Sequence, residues 1–169
     1  TQRYQNGGDG YAYGVDVSLL RRFVDRFYGQ INYSYGYARR DDNDGFGAYA
    51  PDFNQPHIFN ILAGYQFNKS WSASAKWKYS TGKPADNFVV NADVFSDPGN
   101  LHYSNEIIDN NGRRVTDFHT LNARIDYRAQ IGRIAVVSFL DMLNVYGRKN
   151  VTRETFVDLT GKSEDEGFE

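Results

Sequence analysis

The stretch "HIFNILAGYQFNKSWSASAKWKYSTGKP", residues 57–84, alternates apolar and polar side chains on both sides of a short polar break at 68–70. Residues two apart share a face of a β-strand, whereas on a helix they do not. Ile58 and Leu62 blur the polar face of the first segment. The stretch predicts two neighbouring strands, whose apolar face carries Phe59, Ile61, Ala63, Tyr65 and Phe67, then Trp71, Ala73, Ala75, Trp77 and Tyr79.

The same period of two recurs along most of the chain. Tyr33, Tyr35 and Tyr37 would point in widely different directions on a helix but line one face of a strand. Each alternating segment has roughly ten residues, the length of a tilted strand that spans a bilayer. We therefore expect an all-β fold, an antiparallel up-and-down meander of about six strands near 10–20, 27–40, 57–67, 71–81, 118–128 and 133–146.

Composition excludes several classes of protein. The chain has 169 residues and no Cys, which rules out a disulfide scaffold and a Cys-based metal site. No stretch approaches the ~20 consecutive apolar residues of a transmembrane helix, and no signal peptide is present at Thr1. The net charge of −2 gives no general attraction to nucleic acid.

The connections between the predicted strands alternate in length. Short turns at 21–26, 68–70 and 129–132 alternate with long polar loops at 41–55 and 83–117. In an antiparallel meander, this order places every short turn at one end of the sheet and every long loop at the other. That asymmetry is typical of outer-membrane barrels, whereas a long structureless loop counts against a compact soluble domain. We expect residues 1–169 to belong to a transmembrane β-barrel.

Aromatic residues lie near the ends of the predicted strands. In a membrane barrel such residues form girdles at the two interfaces, where a partly polar ring is stabilised. The alternative is that aromatic residues are simply common in strands. The membrane-interface candidates are Tyr11, Tyr13, Phe27, Tyr37, Phe67, Trp71, Tyr79, Tyr127 and Tyr146.

No motif for catalysis, a metal or a cofactor is found, so we expect neither an enzyme nor a cofactor-binding protein. His57, His102 and His119 are far apart, and "DDNDG" at 41–45 lacks the register and the closing Glu of an EF-hand. The loop aromatics among Asn and Asp could bind a sugar-like or siderophore-like ligand, or pack within the loops. These ligand-binding candidates are Phe46, Tyr49, Phe53, Phe88, Phe95 and Tyr103.

Four stretches resemble the TonB-dependent outer-membrane receptors. "NGGDGYAYGVDVSLL" is similar to a strand entry of that family through Gly14, Val15 and Asp16, and "YSTGKP" to its Ser-Gly-x-Pro strand end. "PDFNQPHIFNILAGYQF" resembles its Phe-Asp-x-Pro-His strand start through Phe53, Pro56 and His57. The closing region, "VTDFHTLNARIDYRAQIGRIAVVSFLDMLNVYGRKNV", matches at His119, Leu121, Arg124, Asp126, Asp141, Asn144, Val145, Asn150 and Val151.

The resemblance implies active uptake of a scarce nutrient, such as a siderophore, cobalamin or an oligosaccharide, across the outer membrane of a Gram-negative bacterium. It implies contact with outer-membrane lipid, a small-molecule or oligosaccharide ligand, and the TonB complex through a plug region. That plug, the TonB box and the final aromatic-ended strand are not found here, so the chain resembles a late segment of a barrel of about 22 strands. We expect such a segment on its own to self-associate or rearrange, because open sheet edges cannot face lipid.

Two other classes of protein remain open from the residues. A small outer-membrane barrel with an adhesin or structural role would be completed by one or two further strands. A soluble β domain that binds carbohydrate would hide its apolar face against a second sheet.

Overall fold

The fold is described from a computed structural model, which places residues 7–45, 47–93, 102–157 and 162–168, with side chains for 7–45, 47–89 and 106–151. None of the described residues form a helix of the length and hydrophobicity needed to cross a membrane. The strands are β1 (Asp9–Val24), β2 (Phe27–Asp41), β3 (His57–Gln66), β4 (Trp71–Ser80), β5 (Pro84–Asp93), β6 (His102–Arg114), β7 (Phe118–Ile131), β8 (Ile134–Met142), β9 (Asn150–Val157) and β10 (Lys162–Phe168).

Six strands form one antiparallel sheet in the order β1-β2-β3-β4-β7-β8. The predicted all-β fold with a six-stranded antiparallel sheet is thus confirmed. Two small sheets accompany it: β5 pairs with β6 between β4 and β7, and β9 pairs with β10 after β8. The sheet is not closed, since β1 and β8 are its two edges.

One continuous register runs across the sheet and separates its two faces. The pairs Val17↔Tyr33, Tyr33↔Phe59 and Phe59↔Tyr79 continue to Tyr79↔His119, so odd-numbered residues of five strands share one face. On β8 the even-numbered residues join them, as in Ile125↔Leu140. We call this surface the apolar face and the opposite one the polar face.

The short connections lie together at one end of the sheet, which we call the short-turn end. Asp25 and Arg26 both have positive φ, as a two-residue type I′ hairpin turn requires, and Gly132 (φ 61°) begins the turn between β7 and β8. In the turn between β3 and β4, Asn68 Oδ1 accepts hydrogen bonds from the Ser70 and Trp71 amides, at 2.8 and 2.9 Å. The opposite end, which carries 42–56, 81–117 and 143–149, is the long-loop end.

Nothing among the described residues covers the apolar face. Val15, Leu19 and Leu140 are 61%, 62% and 60% exposed, and no large side chain in the described ranges is fully buried. The buried apolar side chains of the described part are Ala38, Ala50 and Val115, and these belong to the loops or the strand end beside them. The sheet therefore has no hydrophobic core of its own.

Two sequence-based expectations about strands and loops differ from the structure. Residues 83–117, expected to be a loop, contain the β5–β6 hairpin, and β9 and β10, where no strands were expected, form a second hairpin. The last strand of the sheet, expected near 133–146, ends at Met142, because Asn144 and Gly147 adopt positive φ in a turn. The two hairpins were missed because backbone pairing holds them, without one apolar face that would give the sequence a period of two.

Candidate functional site

The buried side chains of the described residues lie at the long-loop end. The 42–56 loop turns back over the polar face of β2, where the Asn54 amide donates to the Ala38 carbonyl at 3.1 Å. Asn54 is only 3% exposed, and Ala38 beneath it is buried as well. The loop is thus anchored to the sheet by a buried hydrogen bond, whose loss typically costs about 1–3 kcal/mol.

The base of the β5–β6 hairpin is bonded to the same loop. Arg114 Nη1 donates to the carbonyls of Asn54 and Gly82, at 2.6 and 3.0 Å. The Asn111 amide donates to the Ala50 carbonyl at 2.8 Å and to Asp52 Oδ1 at 3.0 Å. The loop and the hairpin base therefore form one ordered polar layer at this end of the sheet.

Asp117 joins three further segments of the long-loop end. The Tyr79 hydroxyl donates to Asp117 Oδ2 at 2.7 Å, and the Gly82 amide donates to Oδ1 at 2.9 Å. These bonds, helped by the positive charges of Arg148 and Arg114, hold the pKa of Asp117 below its usual value. Arg148 Nη2 also donates to the Asp117 carbonyl at 3.1 Å, which ties in the turn after β8.

A second carboxylate, Asp42, orders the start of the 42–56 loop. It accepts a hydrogen bond from the Tyr49 hydroxyl at 2.7 Å and one from Arg40 Nε at 2.5 Å. The pKa of Asp42 is lowered by both bonds, and the pKa of Tyr49 is raised by the same carboxylate. Backbone hydrogen bonds between Arg40 and Tyr49 reinforce this contact.

A cleft of about 430 Å³ lies between the 42–56 loop and the hairpin base. We call it the arginine cleft, because Arg39, Arg113 and Arg114 all line it, together with Ala48, Tyr49, Ala50, Asp109, Asn110, Asn111 and Gly112. Neutral oxygens orient Arg39, whose Nε donates to the Tyr37 hydroxyl at 3.0 Å and whose Nη1 donates to the Ala48 carbonyl at 3.2 Å. Desolvation, followed by the positive charge of Arg39, lowers the pKa of Arg114.

A more open cleft of about 640 Å³ lies on the other side of the 42–56 loop. Its lining includes the small residues Gly10, Ala12 and Ala38, with Pro51 and Phe53 beside them. Phe53 is 74% exposed. The cleft offers a flat ligand one exposed aromatic ring and space for close approach to the backbone.

The predicted loop aromatics whose side chains the structure describes, Tyr49, Phe53 and Phe88, do not come together in one site. Tyr49 lines the arginine cleft, whereas Phe53 lines the larger one. Phe88 lies in β5, where the Arg113 guanidinium stands 6.0 Å from its ring centroid. Phe46, Phe95 and the Tyr103 side chain lie outside the described part, so the six candidates remain predictions.

The predicted interface aromatics fall into two groups at opposite ends of the sheet. Tyr11 and Tyr13 contact Tyr37 at centroid distances of 6.3 and 5.5 Å near the long-loop end, where Tyr79 and Tyr146 also lie. Near the short-turn end, Trp71 and Tyr127 contact at 4.7 Å. Phe27 and Phe67 lie there as well, at the start of β2 and just after β3.

Arg124 forms two ion pairs on the polar face. Arg124 Nε lies 2.9 Å from Asp126 Oδ1, and Arg124 Nη1 lies 3.3 Å from Asp141 Oδ2. Its guanidinium also stands 4.0 Å from the centroid of the Phe139 ring. These contacts order side chains on the polar face.

Histidines at the long-loop end bond to tyrosines. His57 Nδ1 and the Tyr33 hydroxyl are 2.9 Å apart, and His119 Nδ1 and the Tyr146 hydroxyl are 2.7 Å apart. No group of three or more His, Asp or Glu side chains suited to a metal ion occurs within the described ranges.

Sequence reasoning missed Asn54, Asp117 and the pair Arg39 and Arg114. One signal was present for Arg39, which continues the odd-numbered row of Tyr33, Tyr35 and Tyr37 and is therefore a charge on the apolar face. The other three depend on contacts between segments that are distant in sequence.

Comparison of the chain with protein-family models, curated proteins and solved structures gives no match.

Proposed function

We propose that this chain forms part of the wall and the extracellular loops of an outer-membrane β-barrel that works as a TonB-dependent receptor. In this proposal the apolar face contacts lipid, the polar face lines the barrel interior, and the long-loop end faces outwards. The observation that carries it is an apolar face that continues in one register across six strands and is left uncovered by the described residues. Water is a poor solvent for such a surface, and lipid is a good one.

The spacing of aromatic residues on this face fits a membrane. The residues near the two ends of a strand are Phe59 on β3 and Phe67 just after it, Trp71 and Tyr79 on β4, and His119 and Tyr127 on β7. Each pair is eight residues apart, which corresponds to about 27 Å along a strand and about 21 Å along the normal at a tilt of about 40°. The apolar band of outer-membrane barrels is about 25 Å tall.

The row halfway between these aromatic ends consists of small apolar residues. Ala63, Ala75 and Ala123 pair with one another across β3, β4 and β7. They lie in a shallow groove of about 380 Å³ with a mostly apolar lining. Such a groove suits the acyl chains of lipid, and the next residues along β4 and β7, Lys76 and Arg124, project to the opposite face.

Receptor function is proposed from the family resemblance and from the ordered long-loop end. The 42–56 loop folds over the polar face at the strand ends, where a ligand entering a barrel would first meet the protein. The arginine cleft and the cleft beside Phe53 provide concave surfaces there. Loops carried on a rigid sheet are a common arrangement for binding sites.

Fluorescence quenching tests the membrane part of the proposal. The two tryptophans of the chain, Trp71 and Trp77, both lie on the apolar face of β4. If the row of Ala75 marks the bilayer centre, Trp77, two residues away, lies about 5 Å from that centre along the membrane normal. Trp71, four residues from Ala75, lies about 10 Å from the centre. Trp71→Phe and Trp77→Phe each leave a single reporter in vesicles of brominated lipid.

We expect bromines deep in the acyl chains to quench Trp77 most strongly, and bromines near the headgroup to quench Trp71 most strongly. Absence of quenching for both reporters would contradict lipid contact and favour a soluble sheet.

Uptake tests the receptor part: deleting the gene should abolish uptake of one ferric siderophore, cobalamin or oligosaccharide. Deleting TonB should abolish uptake of the same compound, and continued uptake without TonB would refute this assignment.

A further inference from the structure

The arginine cleft contains two guanidinium groups, those of Arg39 and Arg114, that are oriented by neutral oxygens. Among the described residues, neither Arg39 nor Arg114 forms an ion pair, although Asp109 also lines the cleft. The hydrogen bonds of Arg39 go to a tyrosine hydroxyl and a carbonyl, and those of Arg114 go to two carbonyls. Neutral oxygens orient both side chains, and the carboxylates that act on their charges, Asp109 for Arg39 and Asp117 for Arg114, form no ion pair with them.

The strand register places Arg39 on the apolar face, level with Tyr11 and one step beyond Tyr13 and Tyr37. Arg39 pairs with Tyr11, and Tyr13 pairs with Tyr37, so all four residues share this face. The neighbouring Arg40 points to the opposite face and is neutralised by Asp42 at 2.5 Å. Of these two adjacent arginines, the one on the apolar face forms no ion pair with the residues that the structure describes.

We propose that Arg39 and Arg114 bind the phosphate group of a lipid whose acyl chains lie against the apolar face. This inference rests on the proposed membrane location. A headgroup phosphate would lie at the outer edge of an aromatic girdle, where Arg39 is paired with Tyr11. Guanidinium groups bind phosphate oxygens through charge-assisted hydrogen bonds. The tyrosine rings below would contact the upper part of the acyl chains.

The experiment compares matched variants in detergent micelles. The double variant Arg39→Gln/Arg114→Gln removes the two unpaired charges, and Arg40→Gln removes one charge from the next residue on the other face. Each protein is titrated with phosphatidic acid, and binding is followed by native mass spectrometry. We expect the double variant to bind about tenfold more weakly or worse and Arg40→Gln to stay close to the parent protein. Arg39→Lys, which keeps the charge but loses the planar fork, should be intermediate.

A second arm distinguishes lipid from a free anion. Inorganic phosphate, titrated without lipid, should bind far more weakly than phosphatidic acid, because it lacks acyl chains to contact the apolar face. Equal affinity for the two would overturn the lipid assignment. Equal binding of phosphatidic acid by the double variant and by Arg40→Gln would overturn the role of the arginines.

Folding and membrane contact are checked in the same samples. Circular dichroism of the double variant should keep the strand spectrum of the parent protein. Quenching of Trp77 by brominated lipid should also persist, because Trp77 lies on β4, away from the cleft. Lost lipid selectivity with persistent quenching supports the phosphate site, whereas lost quenching in the parent protein contradicts the proposed membrane location itself.

Discussion

A charge placed at the centre of the apolar face gives the sharpest test of what that face contacts. Ala75 lies on β4 four residues from Trp71 and four from Tyr79, and it pairs with Ala63 and Ala123. Four residues correspond to about 14 Å along the strand and about 10 Å along the membrane normal, so Ala75 lies near the midplane. An arginine on the lipid face of a barrel costs about 2–4 kcal/mol at this depth.

We expect Ala75→Arg to lower the free energy of unfolding in lipid vesicles by about 2–4 kcal/mol. The matched control is Ser72→Arg, on the same strand but on the polar face, where the new charge lies opposite Asp126. The control should change the free energy of unfolding by less than about 1 kcal/mol, because the new guanidinium stays in water and lies opposite an acidic side chain.

The assay is equilibrium unfolding by guanidinium chloride, followed by tryptophan fluorescence of protein in vesicles. A surface substitution in water usually changes stability by less than about 0.5 kcal/mol. If Ala75→Arg costs no more than Ser72→Arg, the apolar face does not contact lipid, and the assignment of the two faces is refuted.

Three further substitutions test the packing of the sheet and the long-loop end. Gly64→Val should destabilise the sheet by about 1–3 kcal/mol in the same denaturation assay, because the Tyr28 ring occupies the space of any Cβ at position 64. The control Gly36→Ala should be tolerated, because no atom lies within 4 Å of a Cβ at position 36. Asp117→Asn should loosen the loops at neutral pH, and equal hydrogen exchange of the variant and the parent at pH 7 would contradict this. Because the pKa of Asp117 in the folded protein lies below the usual value of about 4, the loops of the parent should also loosen as the pH falls through that range. Asn54→Ala should speed proteolysis within 42–56 and leave the short-turn end unchanged; equal protection of the loop in the variant and the parent would show that this bond does not anchor it.

The β5–β6 and β9–β10 hairpins show where hydrophobic periodicity fails to predict strands. Segments such as β3 and β4 are patterned because one face contacts an apolar phase, and that requirement repeats every second residue. The strands β5 and β6 pair with each other outside the sheet, so hydrogen bonding of the backbone defines them and no alternation marks them. Their existence could not be predicted from hydrophobic periodicity.

The candidate site was only partly predictable for a similar reason. Composition correctly directs attention to the polar loops, but Asn54, Asp117 and Arg114 gain their partners from segments far away in sequence. Which arginine is neutralised also depends on folding, since Arg40 pairs with Asp42 while Arg39 turns to Tyr37.

The sequence by itself determined the six-stranded antiparallel sheet and its two unlike faces, because side chains two residues apart lie on the same face of a strand and have the same polarity in this chain. Only the tertiary structure decided the register that aligns Ala63, Ala75 and Ala123, the inward fold of the 42–56 loop and the shared cleft of Arg39 and Arg114. These features arise from contacts between distant segments, whose free energy depends on geometry that local residue patterns do not encode.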